Sequence, residues 1–153
     1  MKGFISYAHE DGAMFREVCK HLTPITRRHR IEFWTDAKLH TGQDWNDAIA
    51  KAISEADVFV ALVSFGSMAS DYIHTKELPA MRARAATNGA LILPVLLNRC
   101  LWQFEFGTAQ VAPVSGGREQ PIADWRPQRN GYHAASVQIA DAIQRYYAKA
   151  SAP

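Results

Sequence analysis

Polar and apolar residues alternate between two spacings along this chain. Short apolar runs, typical of strands, are followed by segments whose apolar residues recur every three or four positions, as in helices. The run Val58–Val63 is apolar at every position, which indicates a strand buried on both faces of a parallel sheet. We predict strands at residues 3–7, 31–35, 58–63, 91–97 and, as a short fifth, 121–122. Helices are predicted from 14 to an end marked by Pro24 and the basic run 27–30, from 44 to 53, from 71 to 87 and from 131 to 149.

Strands that alternate with helices predict an α/β fold, in which helices cover both faces of a parallel sheet. Because crossover connections are right-handed, the sheet is expected to be doubly wound. Ligands of such sheets bind beyond the carboxyl ends of the strands. The segments expected at those ends are residues 6–9, 36–39, 64–67 at the start of the polar loop 64–70, and the long connection that begins at 98.

Local signals mark the ends of the helices. Asp44 stands where its side chain can cap the second helix, and Asn88-Gly89 is a good C-terminal cap for the third. Pro79 removes a backbone hydrogen bond inside the third helix, so this helix either kinks just after Glu77 or ends there and restarts at Pro79. His74 and Glu77 are three positions apart, and we expect them to share a face.

Length and composition exclude several classes of protein. The 153 residues suit one domain, and 48% hydrophobic with 21% charged residues is typical of a globular fold. A net charge of +2 gives no support for direct nucleic-acid binding. No apolar run approaches the ~18–20 residues of a membrane helix. Cys19 and Cys100 form no disulfide framework, and the polar residues His9–Asp11 interrupt any signal-peptide core, so we expect a cytoplasmic protein.

The motifs of several enzyme classes do not occur in the sequence. It contains neither G-x-G-x-x-G nor a P-loop, so hydride and phosphoryl transfer lack their phosphate cradles. The adjacent residues His9–Asp11 cannot all face one ion, and we expect no metal site. Cys100 has no evident base to activate it, so we do not expect thiol catalysis.

Several segments at the expected strand ends are similar to the boxes of one known family. Residues 4–11, FISYAHED, resemble the first box of the Toll/interleukin-1 receptor (TIR) domain family in its bacterial form. Residues 36–45 resemble its second box, the BB loop. Further similar segments are residues 56–64, 67–72 with 76–78, 98–102 and 121–125, so that the resemblance spans about residues 2–147.

The resemblance implies a flavodoxin-like fold with five parallel strands in the order 2-1-3-4-5, formed by a TIR domain at residues 1–147 with a tail or linker start at 148–153. Many bacterial and plant members of this family cleave NAD+ at the nicotinamide–ribose bond. Other members, in animals, are non-enzymatic adaptors that signal by TIR–TIR association. We therefore expect an NAD+ glycohydrolase or cyclase that self-association activates, with NAD+ as substrate and no cofactor, acting in bacterial antiphage defence.

The family's motif also implies roles for individual residues. Glu77 stands at the position of the glutamate that the enzymatic members need, and Tyr72 replaces a tryptophan often found just before it. The residues expected to bind substrate, besides Tyr72, are Ser6, Tyr7, Ala8, His9, Asp36, Lys38, Leu39 and Trp102. The residues expected to serve in assembly are Lys38, Leu39, Gly42 and Trp45.

A single carboxylate is chemically sufficient for this reaction. Ordinary glycosidases need a second one to protonate the leaving oxygen. The nicotinamide of NAD+ is already cationic and departs as a neutral molecule, so no general acid is needed. The site must instead stabilise an oxocarbenium-like ribose in a cleft of low dielectric, which is a task for one ionised glutamate.

Two other functions stay open at this point. The chain could be a non-catalytic TIR scaffold that interferes with a host's TIR signalling; for the enzyme, a fused or separate sensor domain is an expected partner. A receiver-type switch is disfavoured, because Ser6-Tyr7 stand where its acidic pair would follow the first strand. Release of nicotinamide separates the enzyme from the scaffold.

Overall fold

A computed structural model describes residues 1–34 and 44–153 of the chain. Four parallel strands form its main sheet in the order β2-β1-β3-β4. These strands are β1 Lys2–Ser6, β2 Glu32–Trp34, β3 Val58–Val63 and β4 Leu91–Leu96. The predicted α/β class and the strand order 2-1-3-4 are confirmed.

Four long helices cover the two faces of this sheet. The apolar face of helix α1 (Gly12–His29) lies beside that of α6 (Gln128–Ala150). On the other face, helix α2 (Trp45–Glu55) packs beside helix α4 (Leu78–Asn88). Alternate side chains of β3 serve the two cores: Val58, Val60 and Leu62 join the core with α1 and α6, whereas Phe59, Ala61 and Val63 join the core with α2 and α4. Full burial of β3 explains its unbroken apolar sequence.

The edge beyond β4 differs from the sequence prediction. Ala112 forms a single parallel bridge with Val95 there, and its N–H donates to the carbonyl of Pro94 at 3.0 Å. The predicted strand at residues 121–122 is wrong, because Ile122–Asp124 form a 3₁₀ turn closed by a 2.9 Å bond from the N–H of Asp124 to the carbonyl of Pro121.

The connection before that turn contains short elements of its own. They are helix α5 (Gln103–Phe106) and the antiparallel hairpin of β5 (Val114–Ser115) with β6 (Arg118–Glu119). None of the helices that the structure describes is long and apolar enough to cross a membrane.

Helix ends agree with the sequence signals at several places. The carboxylate of Asp44 accepts a 3.0 Å bond from the N–H of Asp47 and caps α2, as predicted. Gly89 ends α4 at φ +70°, a backbone angle that favours glycine, also as predicted. The prediction that Pro24 helps to end the first helix is wrong, because helix α1 passes through it. The helix ends within the basic run, as predicted, where cations stabilise the negative end of the helix dipole.

One loop prediction is wrong, and the difference matters for the site. Residues 64–70 contain a short helix, α3 (Phe65–Ala69). The Ser64 hydroxyl accepts a 3.0 Å bond from the N–H of Ser67, and the Ser67 hydroxyl accepts a 2.8 Å bond from the N–H of Ser64. Serine at both positions of this reciprocal capping box begins a helix where the polar composition suggested only a loop.

Candidate functional site

A cleft of about 610 Å³ opens at the carboxyl edge of the sheet, the region to which the topology points. Its walls come from the end of β1, the 3₁₀ turn His9–Asp11, the end of β2, the start of α2, and the segment from α3 to α4. The residues that line it are Phe4, Ile5, Tyr7, Ala8, His9, Glu10, Trp34, Trp45, Ile49, Gly66, Ala69, Ser70, Tyr72, Ile73 and Glu77.

Glu77 is the buried carboxylate of this cleft. Only 6% of the residue is exposed, although it lines the cavity. The hydroxyl of Ser6 donates a hydrogen bond to Glu77 Oε2 at 3.3 Å. Ser6 is the last residue of β1 and is itself 3% exposed. The end of a central strand thus supplies a hydrogen bond to a carboxylate carried by a helix.

An irregular helical turn carries Glu77. The N–H of Leu78 donates to the carbonyl of Ile73, five positions earlier, so Ile73–Glu77 form a π-helical turn. Pro79, in the first turn of α4, has no N–H to give to the preceding turn, and the wider π turn accommodates its ring. The predicted disruption near Pro79 therefore takes the form of a π turn that ends at Glu77.

The extra residue of this turn changes which side chains face inward. Ile73 and Glu77 are both buried, whereas His74 points outward and its Nδ1 lies 2.7 Å from Oε1 of Glu105. The prediction that His74 shares a face with Glu77 is wrong, because that spacing rule holds for a regular α-helix. His74 does not line the cleft.

Aromatic rings form much of the cleft wall. Trp45 and Tyr72 meet at 4.8 Å between ring centroids, with their planes inclined by 37°. Tyr7 stacks on Phe15 at 4.0 Å, and Trp34 stacks on Phe4 at 5.7 Å. Trp45 is 44% exposed at this wall. Such walls offer ring faces to a flat, electron-poor ligand.

A buried polar network joins the elements that form the cleft. The Ser64 hydroxyl, at the end of β3, donates to the carboxylate of Asp11, and both residues are buried. The side-chain oxygen of Asn98, beyond β4, accepts a 2.9 Å bond from the N–H of Phe65. These contacts fix α3 and the 3₁₀ turn to the strand ends.

The structure brings most of the described candidates together. Ser6 lies beneath Glu77 and is not among the lining residues. Trp102 also does not line the cleft: it stands at the start of α5 and packs partly buried against the core of α2 and α4. The candidates that line the cleft are Tyr7, Ala8, His9, Trp45, Tyr72 and Glu77. The candidates Asp36, Lys38, Leu39 and Gly42 lie outside the described residues.

Sequence reasoning missed several lining residues. Glu10 stands three residues beyond the first predicted strand and Trp34 is the second-last residue of the next, so their nearness to the carboxyl edge was a usable signal. Gly66 gave no signal, because its place in the wall depends on α3. Burial raises the pKa of the Cys100 thiol, which disfavours the thiolate that a nucleophile needs.

A second, more apolar groove of about 520 Å³ adjoins the cleft. Ala69 and Ser70 line both cavities. Three large apolar side chains in the groove are strongly exposed: Phe65 by 61%, Leu101 by 71% and Phe104 by 86%. Exposed apolar residues gathered in one groove are typical of a surface that binds another protein.

Comparison with known proteins relates this chain to a family and to a curated relative. The sequence matches the TIR domain family over residues 4–127. It is also 30% identical over 151 residues to an uncharacterized protein, y4lF, of Sinorhizobium fredii. That match covers 98% of this chain and 46% of the relative, so the chain spans about half the length of this relative.

Proposed function

Because the chain belongs to the TIR domain family, we propose that it cleaves the nicotinamide–ribose bond of NAD+ and releases nicotinamide with ADP-ribose or a cyclic ADP-ribose. The observation that carries this proposal is the buried Glu77 carboxylate, oriented by Ser6 in an aromatic cleft at the carboxyl edge of the sheet. NAD+ is the substrate, and the proposed reaction uses no cofactor.

The proposed reaction needs one carboxylate and a nucleophile. The bond between the ribose C1′ and the pyridinium nitrogen breaks, and its electron pair leaves with nicotinamide, which becomes neutral. The Glu77 carboxylate stabilises the positive charge that develops on the ribose, an effect that is strong where water is excluded. Water then attacks C1′ and gives ADP-ribose, or an adenine nitrogen or ribose hydroxyl of the same molecule gives a cyclic product. Water or a ribose hydroxyl loses its proton to solvent as the new bond forms. A ring nitrogen of adenine has no proton to lose, so in that case the positive charge passes to the adenine ring.

Chromatography of the reaction products tests this proposal. The chain is held on beads or concentrated with a crowding agent, incubated with NAD+, and the products are separated over time. We expect nicotinamide to appear together with ADP-ribose or a cyclic isomer. Intact NAD+ under every clustering condition would remove the enzymatic proposal.

Self-association is the second part of the proposal. TIR domains commonly self-associate, and an unregulated NAD+-cleaving enzyme would harm its own cell. The apolar groove of Phe65, Leu101 and Phe104 supports contact with a second copy of the chain, since it adjoins the cleft through Ala69 and Ser70. Contact there would link assembly to the state of the site.

Substitution of Phe104 tests this surface. Phe104 is 86% exposed, so Phe104→Ser removes an apolar contact without opening the core. We expect the self-association constant, measured by light scattering, to fall about tenfold or more, and nicotinamide release to fall with it. Val137→Ser is the matched control, since Val137 is 53% exposed on α6 and does not line the groove. Unchanged scattering by the Phe104 variant would contradict the assignment.

Substitution of Pro79 tests the π turn. Alanine restores a backbone N–H, which allows a continuous α-helix that rotates the preceding residues by about 100°. We expect Pro79→Ala to slow nicotinamide release about tenfold, while the free energy of unfolding stays equal or rises. Pro24→Ala is the control, because Pro24 is exposed inside α1. Full activity of the Pro79 variant would show that the turn does not orient Glu77.

A non-catalytic interaction module is the alternative, and the same apolar groove favours it. Such a module would bind other TIR domains through Phe65, Leu101 and Phe104 and interfere with a host's signalling. It would bind partners without consuming NAD+. Loss of Phe104 would then weaken binding, while substitution of Glu77 would change nothing.

The proposed setting is the cytoplasm of a bacterium that defends itself against phage. Cys19 and Cys100 are both free thiols, which fits a reducing compartment. A sensor domain, fused or separate, would bring copies of the chain together. The longer length of the Sinorhizobium fredii relative is compatible with such an arrangement.

A further inference from the structure

The ionised side chains among the described cleft residues are mostly of one sign. The described lining residues include the carboxylates of Glu10 and Glu77 but no lysine or arginine. Both carboxylates stand among aromatic walls. We propose that Glu10 is a specificity-determining residue that selects the cationic pyridinium end of the substrate, an inference that rests on the proposed NAD+ cleavage.

The backbone around Glu10 holds it at the cleft. The N–H of Asp11 donates to the carbonyl of Ala8 at 2.9 Å and closes the 3₁₀ turn. The buried carboxylate of Asp11 accepts a bond from Ser64, which fixes the turn to the end of β3. Glu10, between these anchored residues, is exposed into the cavity.

Gly66, which has no side chain, leaves room for the Glu10 carboxylate. A methyl group at Gly66 would lie 2.3 Å from Glu10 Oε1, so the carboxylate rests directly against the glycine backbone. No ion pair neutralises Glu10 within residues 1–34 and 44–153. Among the described residues, Glu10 thus gives the cleft a negative charge that no cation pairs with.

This arrangement favours a flat cation over a neutral ring of the same shape. NAD+ and NADH differ by one hydride and by the charge of the nicotinamide ring. A carboxylate and aromatic faces attract the oxidised, cationic ring and gain little from the reduced one. Glu10 thus contributes to binding the intact cationic ring, whereas Glu77 stabilises the positive charge that develops on the ribose.

The test compares binding of the two dinucleotides. Binding is measured by titration calorimetry on the whole chain carrying Glu77→Gln, so that NAD+ is not consumed. Adding Glu10→Gln is expected to weaken NAD+ binding about three- to tenfold and NADH binding less than twofold. Adding Glu119→Gln, a charge removed from the exposed strand β6, is the matched control and should change neither.

A second variant tests whether the position of the Glu10 carboxylate matters when its charge is kept. Gly66→Ala keeps both carboxylates but displaces that of Glu10. It should therefore also weaken the binding of NAD+ more than the binding of NADH. Equal weakening of both dinucleotides by Glu10→Gln, no change in either, or no binding of either to the Glu77→Gln chain would overturn the inference. Failure of this inference can be told apart from failure of the proposed function. If the unsubstituted chain releases nicotinamide from NAD+ but Glu10→Gln weakens the binding of NAD+ and NADH equally, only the role of Glu10 is wrong and the proposed NAD+ cleavage stands.

Discussion

Glu77→Gln is expected to slow nicotinamide release from NAD+ by about 10²–10³-fold without unfolding the chain. Glutamine has the size of glutamate and keeps an oxygen that can accept the hydrogen bond from Ser6. It loses the negative charge that stabilises the ribose cation. The measurement is the initial rate of nicotinamide release by the clustered protein, compared with that of Glu119→Gln, which removes a carboxylate from the exposed β5–β6 hairpin.

The stability of the same variant separates a catalytic role from a structural one. Burial of a charged group costs free energy, and Glu77 is 6% exposed. We therefore expect the midpoint of thermal unfolding to stay equal or to rise in the glutamine variant. An active Glu77→Gln protein would take this residue out of the mechanism. An inactive one with a much lower unfolding midpoint would make the loss a consequence of misfolding.

Ser6→Ala is expected to lower kcat about ten- to a hundredfold and to leave KM nearly unchanged. A hydrogen bond to a charged group contributes about 1.5–3 kcal/mol, and the Ser6 hydroxyl donates such a bond to Glu77 and contributes to its orientation. Ser6 does not line the cleft, so its loss removes no contact with the substrate. Steady-state kinetics with NAD+ measure both constants.

The control and the contrary outcome for Ser6 follow from its position. Ser136→Ala removes from α6 a hydroxyl that donates to the carbonyl of His133, far from the residues that line the cleft, and should change neither constant. A Ser6 variant with raised KM and normal kcat would instead make Ser6 a substrate-binding residue, the role that the family resemblance implies for it.

The fold was predictable where local chemistry and burial agree. β3 was correct to the residue, because a strand covered on both faces must be apolar throughout. Asp44 and Gly89 were correct as caps, because each satisfies a backbone requirement at a helix end. The strand at residues 121–122 was wrong, because Ile122 packs into the core from a 3₁₀ turn and burial alone does not require a strand.

The candidate site was predictable only in part. The topology indicates which strand ends meet, and Tyr7, Tyr72 and Glu77 do line one cleft. The π turn was not predictable from spacing, because an extra residue in one turn leaves no periodic signal, although Pro79 marked the place. The role of Ser6 beneath Glu77 depends on a contact between residues 71 positions apart.

The most direct test is the amount of free nicotinamide formed per NAD+ consumed when copies of this chain are forced together. The account predicts one nicotinamide for each NAD+ lost, at a rate that depends on clustering and falls at least about a hundredfold with Glu77→Gln. No nicotinamide from the clustered, folded chain, or equal release by the Glu77 variant, would contradict it.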